Sequence, residues 1–200
     1  IGIDVWPRAL QRAKQKQAMW RLARLEFLAV DAEYLPFSDA SFDLIVANNG
    51  INNVENDTQL MQELARVARP DCQVVFTVNL PESFHEFYSV LAAVLRQRHL
   101  QQAEQRLADH IHAKRKLRQY TETLLRTAGF EIRSVHEDVF TWRYADARSF
   151  FEHSFVQLAF AESWYAVLEA NHDEIFREVA DRLDHKAGPD GLVMTVPWIC

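Results

Sequence analysis

Residues 27–47 read FLAVDAEYLPFSDASFDLIVA and contain two short apolar runs, at 27–30 and at 42–47. Asp31 ends the first run, and Asn48-Asn49-Gly50 closes the second with turn-forming residues. Apolar runs of this length, without alternation, are typical of strands that are covered on both faces in a parallel sheet. We therefore predict two buried strands in this stretch.

The residues before this stretch predict another strand and a helix. IGIDV at 1–5 is a third apolar run. Pro7 suits the first turn of a helix because its missing N–H group would have no partner there. We predict that this helix covers about residues 7–17, with Leu10 and Ala13 facing inward.

The residues after the stretch repeat the alternation of strand and helix. A second helix has an apolar face at the helical period, formed by Leu60, Leu64, Val67 and Ala68. We predict that Asp57 or Thr58 caps this helix, that Pro70 ends it, and that a strand follows at 73–78. Strands that alternate with helices at this spacing indicate a parallel α/β sheet.

The second half of the chain is predicted to be mostly helical. Its elements are polar helices over 81–118, a helix ending at Ala128-Gly129, strand character over 130–144, aromatic-rich helices over 146–186, a turn at 188–191 and a strand over 192–199. The sequence contains no repeat or linker that would divide it. Its 200 residues, 48% of them hydrophobic, suit a single domain spanning 1–200.

The composition narrows the classes of function. A net charge of −6 argues against broad nucleic-acid binding, which requires a basic surface. Cys72 and Cys200 form neither a disulfide framework nor a C-x-x-C pattern, so we expect a reducing compartment. The sequence has no apolar run of the roughly 18 residues that a membrane span needs, and no signal peptide. We therefore predict a cytoplasmic protein with no membrane span.

Three motifs carry a resemblance to a known family. They are GIDV at 2–5, VDAEYLPF at 30–37 and SFDLIVA at 41–47, the last continued by INNV at 51–54. In this order and spacing they resemble the class I S-adenosylmethionine-dependent methyltransferases, particularly the ubiquinone/menaquinone-biosynthesis-like group called type 11. ELARVARP at 63–70 is similar to the helix that precedes the fifth strand of that fold. The resemblance covers about the first 80 residues and the AGF junction at 128–130.

The resemblance implies an α/β, Rossmann-like methyltransferase fold. Its sheet would be mostly parallel, with helices on both faces, an antiparallel last strand and helical insertions in the second half. Residues 1–81 would form the cofactor-binding half and residues 82–200 the acceptor-side half. The family's first strand and glycine-rich loop would precede Gly2, since none of the five glycines forms a G-x-G cluster. We expect the chain to be a fragment, although the loop could instead be missing from the native protein.

The resemblance also implies that S-adenosylmethionine, and its product S-adenosylhomocysteine, are held at strand ends. The implied cofactor contacts are Asp4, Val5, Trp6, Asp31, Ala32 and Asn48. Asp4 would accept hydrogen bonds from the ribose hydroxyls, and Asp31 from the adenine amino group. An aspartate at a strand end also commonly serves as a turn or cap residue, Asp43 is more simply structural, and Trp6 equally suits the core.

The methyl acceptor is predicted to be a small molecule that is methylated on O, C or N, and no catalytic residue is identified. Candidates for its pocket are His85, Phe87 and Tyr88, and an aromatic stripe formed by Phe150, Phe151, Phe155, Phe160 and Trp164. The stripe is equally typical of an ordinary helix core. His85 is the candidate general base.

Charged residues in the second half allow two interpretations. The segment 96–118 is rich in Arg and Lys, which would steer an anionic acceptor, such as a carboxylate or a carrier-protein-bound acyl chain, or would simply be a solvated helix face. His110 and His112 are two residues apart, so they point in different directions on a helix. We predict that both are surface residues and that the protein has no metal site.

Two other functions compete with methyl transfer. A nicotinamide-dependent oxidoreductase also places an acidic residue at the end of its second strand, where it binds ribose. A methyltransferase-like protein without the glycine loop would instead be a non-catalytic partner or regulatory subunit. A homodimer is possible under each of these functions.

Overall fold

The computed structural model describes residues 1–168 and 172–200, and the chain divides into two compact units. Unit 1 comprises residues 1–77 and 119–134, and unit 2 comprises residues 78–118 and 135–200. The prediction of one domain, with halves at 1–81 and 82–200, stays a prediction. No described helix is both long enough and apolar enough to cross a lipid bilayer.

Strands and helices alternate along the first part of the chain, as predicted. The described elements, in chain order, are β1 (Gly2–Asp4), α1 (Pro7–Met19), β2 (Phe27–Ala29), β3 (Phe42–Asn48), a 3-10 turn (Ile51–Asn53), α2 (Asp57–Val67), β4 (Ala68–Asn79), α3 (His85–Gln97), α4 (Gln101–Lys114), α5 (Arg118–Thr127), β5 (Glu137–Tyr144), α6 (Ala147–Glu152), α7 (Ser154–Val156), a π-helical segment (Gln157–Ala161), α8 (Glu162–Leu168), α9 (His172–Lys186) and β6 (Leu192–Ile199).

The strands of unit 1 pair in parallel, which is the arrangement predicted from their apolar runs. β1 pairs with β2, and Asp4 lies opposite Ala29. β3 pairs with β4, from Phe42 opposite Ala68 to Asn48 opposite Thr77. Within the described ranges, no hydrogen-bonded pairing joins the β1–β2 pair to the strand β3.

Helix α2 has the predicted inward face but a different cap. Leu60, Leu64 and Val67 are buried. The predicted cap at Asp57 or Thr58 is wrong, because the Asn56 side chain accepts a hydrogen bond from the backbone N–H group of Gln59. An asparagine one residue before the helix satisfies an otherwise unpaired amide of the first turn.

The role predicted for Pro70 is also wrong. Helix α2 ends three residues earlier, at Val67, and Pro70 lies inside β4. The β3–β4 register is irregular there, because Phe42 lies opposite Ala68 whereas Leu44 lies opposite Gln73. A bulged part of a strand tolerates proline, since its backbone N–H group is not needed for the ladder.

Unit 2 contains a large hydrophobic core and an antiparallel strand pair. β5 and β6 pair along their whole lengths, from Glu137 opposite Ile199 to Tyr144 opposite Leu192. The antiparallel last strand is therefore present. Of the strand character predicted for 130–144, only the part from Glu137 onward forms a strand. The core residues of this unit include Phe87, Leu91, Phe150, Trp164, Val179 and Met194.

Gly191 is expected to be essential for the turn that precedes β6. Its φ is +82°, and a Cβ atom there would lie 2.3 Å from the backbone oxygen of Tyr144. Gly191→Ala should therefore lower the free energy of unfolding by roughly 3 kcal/mol, through left-handed strain and steric overlap. Urea unfolding followed by circular dichroism measures this loss. Gly188→Ala is the matched control, because its Cβ would meet no atom within 4 Å, and equal losses in both variants would contradict the prediction.

Candidate functional site

Asp4 and Asp31 lie at the same end of one pair of parallel strands. Asp4 is the last residue of β1, and Asp31 follows the last residue of β2 by two positions. Because Asp4 lies opposite Ala29, both carboxylates come just beyond the carboxyl ends of neighbouring strands. The carboxyl ends of parallel strands are where ligands bind in open α/β sheets.

The two carboxylates have the same local structure. Asp4 Oδ1 accepts a hydrogen bond from the backbone N–H group of Trp6 at 2.8 Å, and Asp31 Oδ1 accepts one from Glu33 at 2.9 Å. Each aspartate therefore stabilises the turn that follows its strand, which is one of the roles considered from the sequence. Within the described residues each Oδ2 atom has no hydrogen bond, so the turn fixes the carboxylate and leaves an acceptor oxygen for a ligand.

The other residues predicted around the adenosine line the same turns. Val5 and Trp6 follow Asp4 and are 67% and 41% exposed, so Trp6 does not belong to a core. Ala32 follows Asp31 and is half-buried. An exposed apolar pair beside a carboxylate is a surface on which a planar base can lie.

Asn48, predicted to lie near the methionine portion of the cofactor, belongs to the other strand pair of unit 1. It is the last residue of β3, and its Oδ1 atom accepts a hydrogen bond from the Thr77 hydroxyl on β4. The structure therefore brings Asp4 and Asp31 onto one strand pair and places Asn48 on a different one. Its side-chain oxygen is already used in the protein.

Two neighbouring asparagines have polar atoms that the sequence analysis did not identify. The Oδ1 atoms of Asn49 and Asn52 are buried and have no hydrogen-bond partner within the described ranges. A buried acceptor without a donor is costly, and such atoms commonly belong to functional sites. They lie one and four residues after Asn48, and as unpartnered acceptors they suit a positively charged or N–H-bearing ligand. The closely spaced asparagines of 48–53 were the available signal.

Buried ionic contacts hold the segment after Asp31 against helix α2. Glu33 is 6% exposed, and its carboxylate accepts hydrogen bonds from the backbone N–H groups of Glu55 and Asn56 at 2.7 and 2.9 Å. The Glu63 carboxylate accepts one from the Leu35 amide at 2.8 Å. These contacts fix the turn that carries Asp31, and no role was predicted for either glutamate.

Arg66 completes this attachment. Its guanidinium donates to the Glu63 carboxylate and to the backbone oxygens of Leu35 and Phe37 at 2.9 and 2.6 Å. The hydrogen bond from Arg66 lowers the pKa of the Glu63 carboxyl group, more than burial raises it. Helix α2 therefore holds the motif at 30–37 through Glu63 and Arg66, which also pair with each other at 2.7 Å.

Comparison with known proteins identifies a similar family for the first part of the chain. Residues 1–76 match the family model described as the methyltransferase domain. The match covers 76 of the 200 residues, so the similarity is one of the first part of the chain. The family predicted from the motifs at 2–5, 30–37 and 41–47 is thus confirmed.

Two curated relatives are methyltransferases by name. The malonyl-[acyl-carrier protein] O-methyltransferase of Halorhodospira halophila is 33% identical over 93 residues, which are 46% of this chain and 31% of that protein. The demethylmenaquinone methyltransferase of Bacillus cereus is 32% identical over 75 residues, 38% of this chain and 32% of that protein. The chain thus spans about a third of the length of these curated relatives.

A solved structure shows the same fold over nearly the whole chain. The crystal structure of a Bacillus halodurans protein has a TM-score of 0.61 and 18% identity, and the match covers 98% of this chain and 78% of that one. The predicted Rossmann-like α/β fold class is confirmed by this similarity and by the parallel strands and antiparallel last strand described above.

The residues predicted to form an acceptor pocket lie in unit 2, and several are core. Phe87, Phe150 and Trp164 are at most 1% exposed, and Tyr88 is 5% exposed. Phe151 and Phe160 pack against this core, whereas Phe155 is 45% exposed. This packing favours the helix-core interpretation of the stripe. His85 is exposed and lies 3.6 Å from the Glu86 carboxylate.

The basic segment at residues 96–118 is not a uniform solvated face. Arg96 pairs with Glu104 at 2.6 Å, and Arg98 pairs with Glu174 and Glu178 at 2.9 and 2.7 Å. Arg115 is buried, at 5% exposure. Intramolecular pairing of this kind weakens long-range steering of an anion, because the positive charge is neutralised locally.

The prediction of two surface histidines is wrong for one of them. His112 is exposed, but His110 is half-buried and its Nε2 atom is buried without a hydrogen-bond partner in the described part of the chain. Burial, together with the charges of Arg115 and Lys114, lowers the pKa of His110 to about 4. His110 is therefore a neutral imidazole near pH 7.

Proposed function

We propose that the protein transfers a methyl group from S-adenosylmethionine to an O, C or N atom of a small molecule. The observation that carries this proposal is the placement of Asp4 and Asp31 beyond two adjacent parallel strands, within residues that match the methyltransferase domain. A carboxylate oxygen without a partner at each position suits the hydroxyl and amino groups of an adenosine.

The residues of unit 1 would bind and orient the cofactor. Asp4 would accept hydrogen bonds from the ribose hydroxyls, and Asp31 would accept one from the adenine amino group. Val5 and Trp6 would cover one face of the base, and the Ala32 amide would face a ring nitrogen. When bound, the cofactor supplies the electrophilic methyl group, so these residues mainly align the reactants and exclude water.

The unpaired oxygens of Asn49 and Asn52 fit the positively charged methionine portion of this cofactor. They would offer acceptors to its ammonium and sulfonium groups, whereas the Asn48 oxygen already accepts from Thr77. Displacement at a methyl group requires no general base unless the acceptor atom carries a proton with a high pKa. We therefore assign no catalytic residue.

The acceptor is proposed only by class. The two curated relatives named above act, by their names, on malonyl-[acyl-carrier protein] and on demethylmenaquinone, which differ greatly in chemistry. A small acyl or aromatic acceptor is compatible with both. A cytoplasmic location and a homodimer remain part of the proposal.

Calorimetry of the full-length protein tests the proposal and separates it from its competitors. Titration with S-adenosylhomocysteine and S-adenosylmethionine is expected to give saturable binding, and titration with NAD is expected to give none. Binding of NAD instead would support the oxidoreductase. Failure to bind either sulfur compound would remove the support for methyl transfer, and binding without methyl transfer to any acyl or aromatic acceptor would favour a non-catalytic subunit.

A further inference from the structure

Arg115 is a buried cation that pairs with no carboxylate in the part of the chain that the structure describes. It follows helix α4 and is 5% exposed. Its Nη2 atom donates to the Tyr88 hydroxyl at 3.2 Å, and its guanidinium carbon lies 4.9 Å from the centroid of the Tyr88 ring. Within residues 1–168 and 172–200, no carboxylate pairs with it, and its Nη1 atom is buried without a hydrogen-bond partner.

Tyr88 and His110 lie beside Arg115 and can each donate a hydrogen bond, His110 in the neutral tautomer that carries its proton on Nε2. The Tyr88 oxygen already accepts from Arg115 and, at 3.0 Å, from the indole Nε1 atom of Trp164. Its lone pairs are therefore occupied, while its own proton has no acceptor among the described residues. The unpartnered Nε2 atom of His110 belongs to a ring whose centroid lies 6.3 Å from that of Tyr88. The cluster formed by Tyr88, His110 and Arg115 thus has hydrogen-bond donors that lack acceptors among the described residues.

The excess of hydrogen-bond donors around Arg115 indicates which kind of ligand would fit this cluster. A charge buried without a partner strongly destabilises a fold, so proteins usually pair such a group or use it to bind a ligand. The cluster has one formal positive charge and two neutral donors, because His110 is uncharged near pH 7. A single planar anion with two acceptor oxygens matches one guanidinium fork, whereas a phosphate dianion usually requires more positive charge.

We propose that Arg115, Tyr88 and His110 form a binding site for the carboxylate of a small molecule. Arg115 is the charged anchor, and the Tyr88 hydroxyl and the His110 imidazole are the neutral donors. That the ligand is the methyl acceptor rests on the function proposed above, whereas the site itself does not.

Thermal unfolding of the full-length protein with three matched probes tests the site. Benzoate, benzamide and phenylphosphonate share a ring and differ in the group that would reach Arg115. Benzoate is expected to raise Tm by about 4 °C at ten times its Kd, since a ligand that binds only the folded state stabilises it. Benzamide and phenylphosphonate are expected to raise it by less than about 1 °C at the same concentrations. Equal shifts with all three probes, or none with benzoate, would overturn the proposal.

Two variants with the same change of charge locate the site. Arg115→Met should abolish the benzoate shift, and without ligand it should unfold at or above the wild-type Tm because an uncompensated buried cation is gone. Lys114→Met is the control, since Lys114 is exposed and adjacent, and its benzoate shift should be retained. A benzoate shift that survives in Arg115→Met, or that is lost equally in Lys114→Met, would contradict the assignment.

A second measurement keeps the test decisive if Arg115→Met does not fold. The pKa of His110 is followed by NMR titration of its imidazole in the wild-type protein. Benzoate bound beside Arg115 would offset the positive charge that lowers this pKa, so the pKa should rise on addition of benzoate and not of benzamide. An unchanged pKa at saturating benzoate would count against the site. None of these measurements uses S-adenosylmethionine, so failure of the cofactor titration leaves them interpretable.

Discussion

Asp4→Ala is expected to weaken S-adenosylhomocysteine binding by on the order of 100-fold. By the proposed function, the variant would remove two hydrogen bonds from ribose hydroxyls to a charged acceptor, which together contribute about 3 kcal/mol. Asp31→Ala would remove a single bond to the adenine amino group and should cost roughly 10-fold. Calorimetry of the full-length protein measures both losses. Wild-type affinity in the Asp4→Ala, Asp31→Ala double variant would refute the site.

Asp4→Asn separates the two roles of this aspartate. Asparagine retains an oxygen that can accept the Trp6 amide, so the turn after β1 should be preserved. It replaces the second oxygen by an NH₂ group, which cannot accept a hydrogen bond from a ribose hydroxyl. We expect Asp4→Asn to bind S-adenosylhomocysteine at least 10-fold more weakly, because roughly one hydrogen bond to a charged acceptor is lost. The Tm of the variant should equal that of the wild type. If Asp4 serves the turn alone, its affinity will equal that of the wild type.

Asp43→Ala is the matched control for these variants. Asp43 is also an aspartate of unit 1, but it lies at the beginning of β3, and its carboxylate pairs with Arg69 at 2.6 Å. Its side chain is 78% exposed, so the ion pair contributes little to stability. Asp43→Ala should therefore retain wild-type affinity. A loss equal to that of Asp4→Ala would show that the measurement reports net charge and not a specific contact.

The sequence predicted the features that depend on local pattern. The apolar runs at 27–30 and 42–47 became β2 and β3, and the helical spacing of Leu60, Leu64 and Val67 became the buried face of α2. The carboxyl-end positions of Asp4 and Asp31 followed from the same pattern, because a strand that is recognised also reveals where it ends.

The features that were not predicted depend on contacts between residues that are distant in the sequence. Glu33 is buried because amides 22 and 23 residues away donate to it, and nothing near it in the sequence shows this. Arg115 belongs to a basic segment, yet it is buried beside a tyrosine 27 residues earlier. Charged residues are read from sequence as exposed, and those that are buried by long-range contacts are the ones for which this assumption fails.

Trp164→Ala is expected to lower the free energy of unfolding by about 4 kcal/mol, which is typical for truncating a fully buried aromatic residue. Trp164 is 1% exposed, and its ring lies 4.3 Å from that of Phe87 and 5.5 Å from that of Phe160, nearly parallel to the latter. Its indole N–H group also donates to Tyr88, so truncation removes a hydrogen bond as well as apolar contacts. Urea unfolding monitored by circular dichroism avoids the change in fluorescence that the substitution itself causes.

This variant decides between the two interpretations of the aromatic stripe. If Trp164 is core, Trp164→Phe should lose only about half as much stability as Trp164→Ala, since most of the ring volume is retained. Phe155→Ala is the control from the same stripe, and because Phe155 is 45% exposed it should lose less than about 1 kcal/mol. If the stripe instead lines an acceptor pocket, Trp164→Ala should unfold at a denaturant concentration close to that of the wild type. Its KM for the acceptor should then be higher than that of the wild type. The close ring contacts on several sides of Trp164 leave it no free face, which is why we expect the loss of stability.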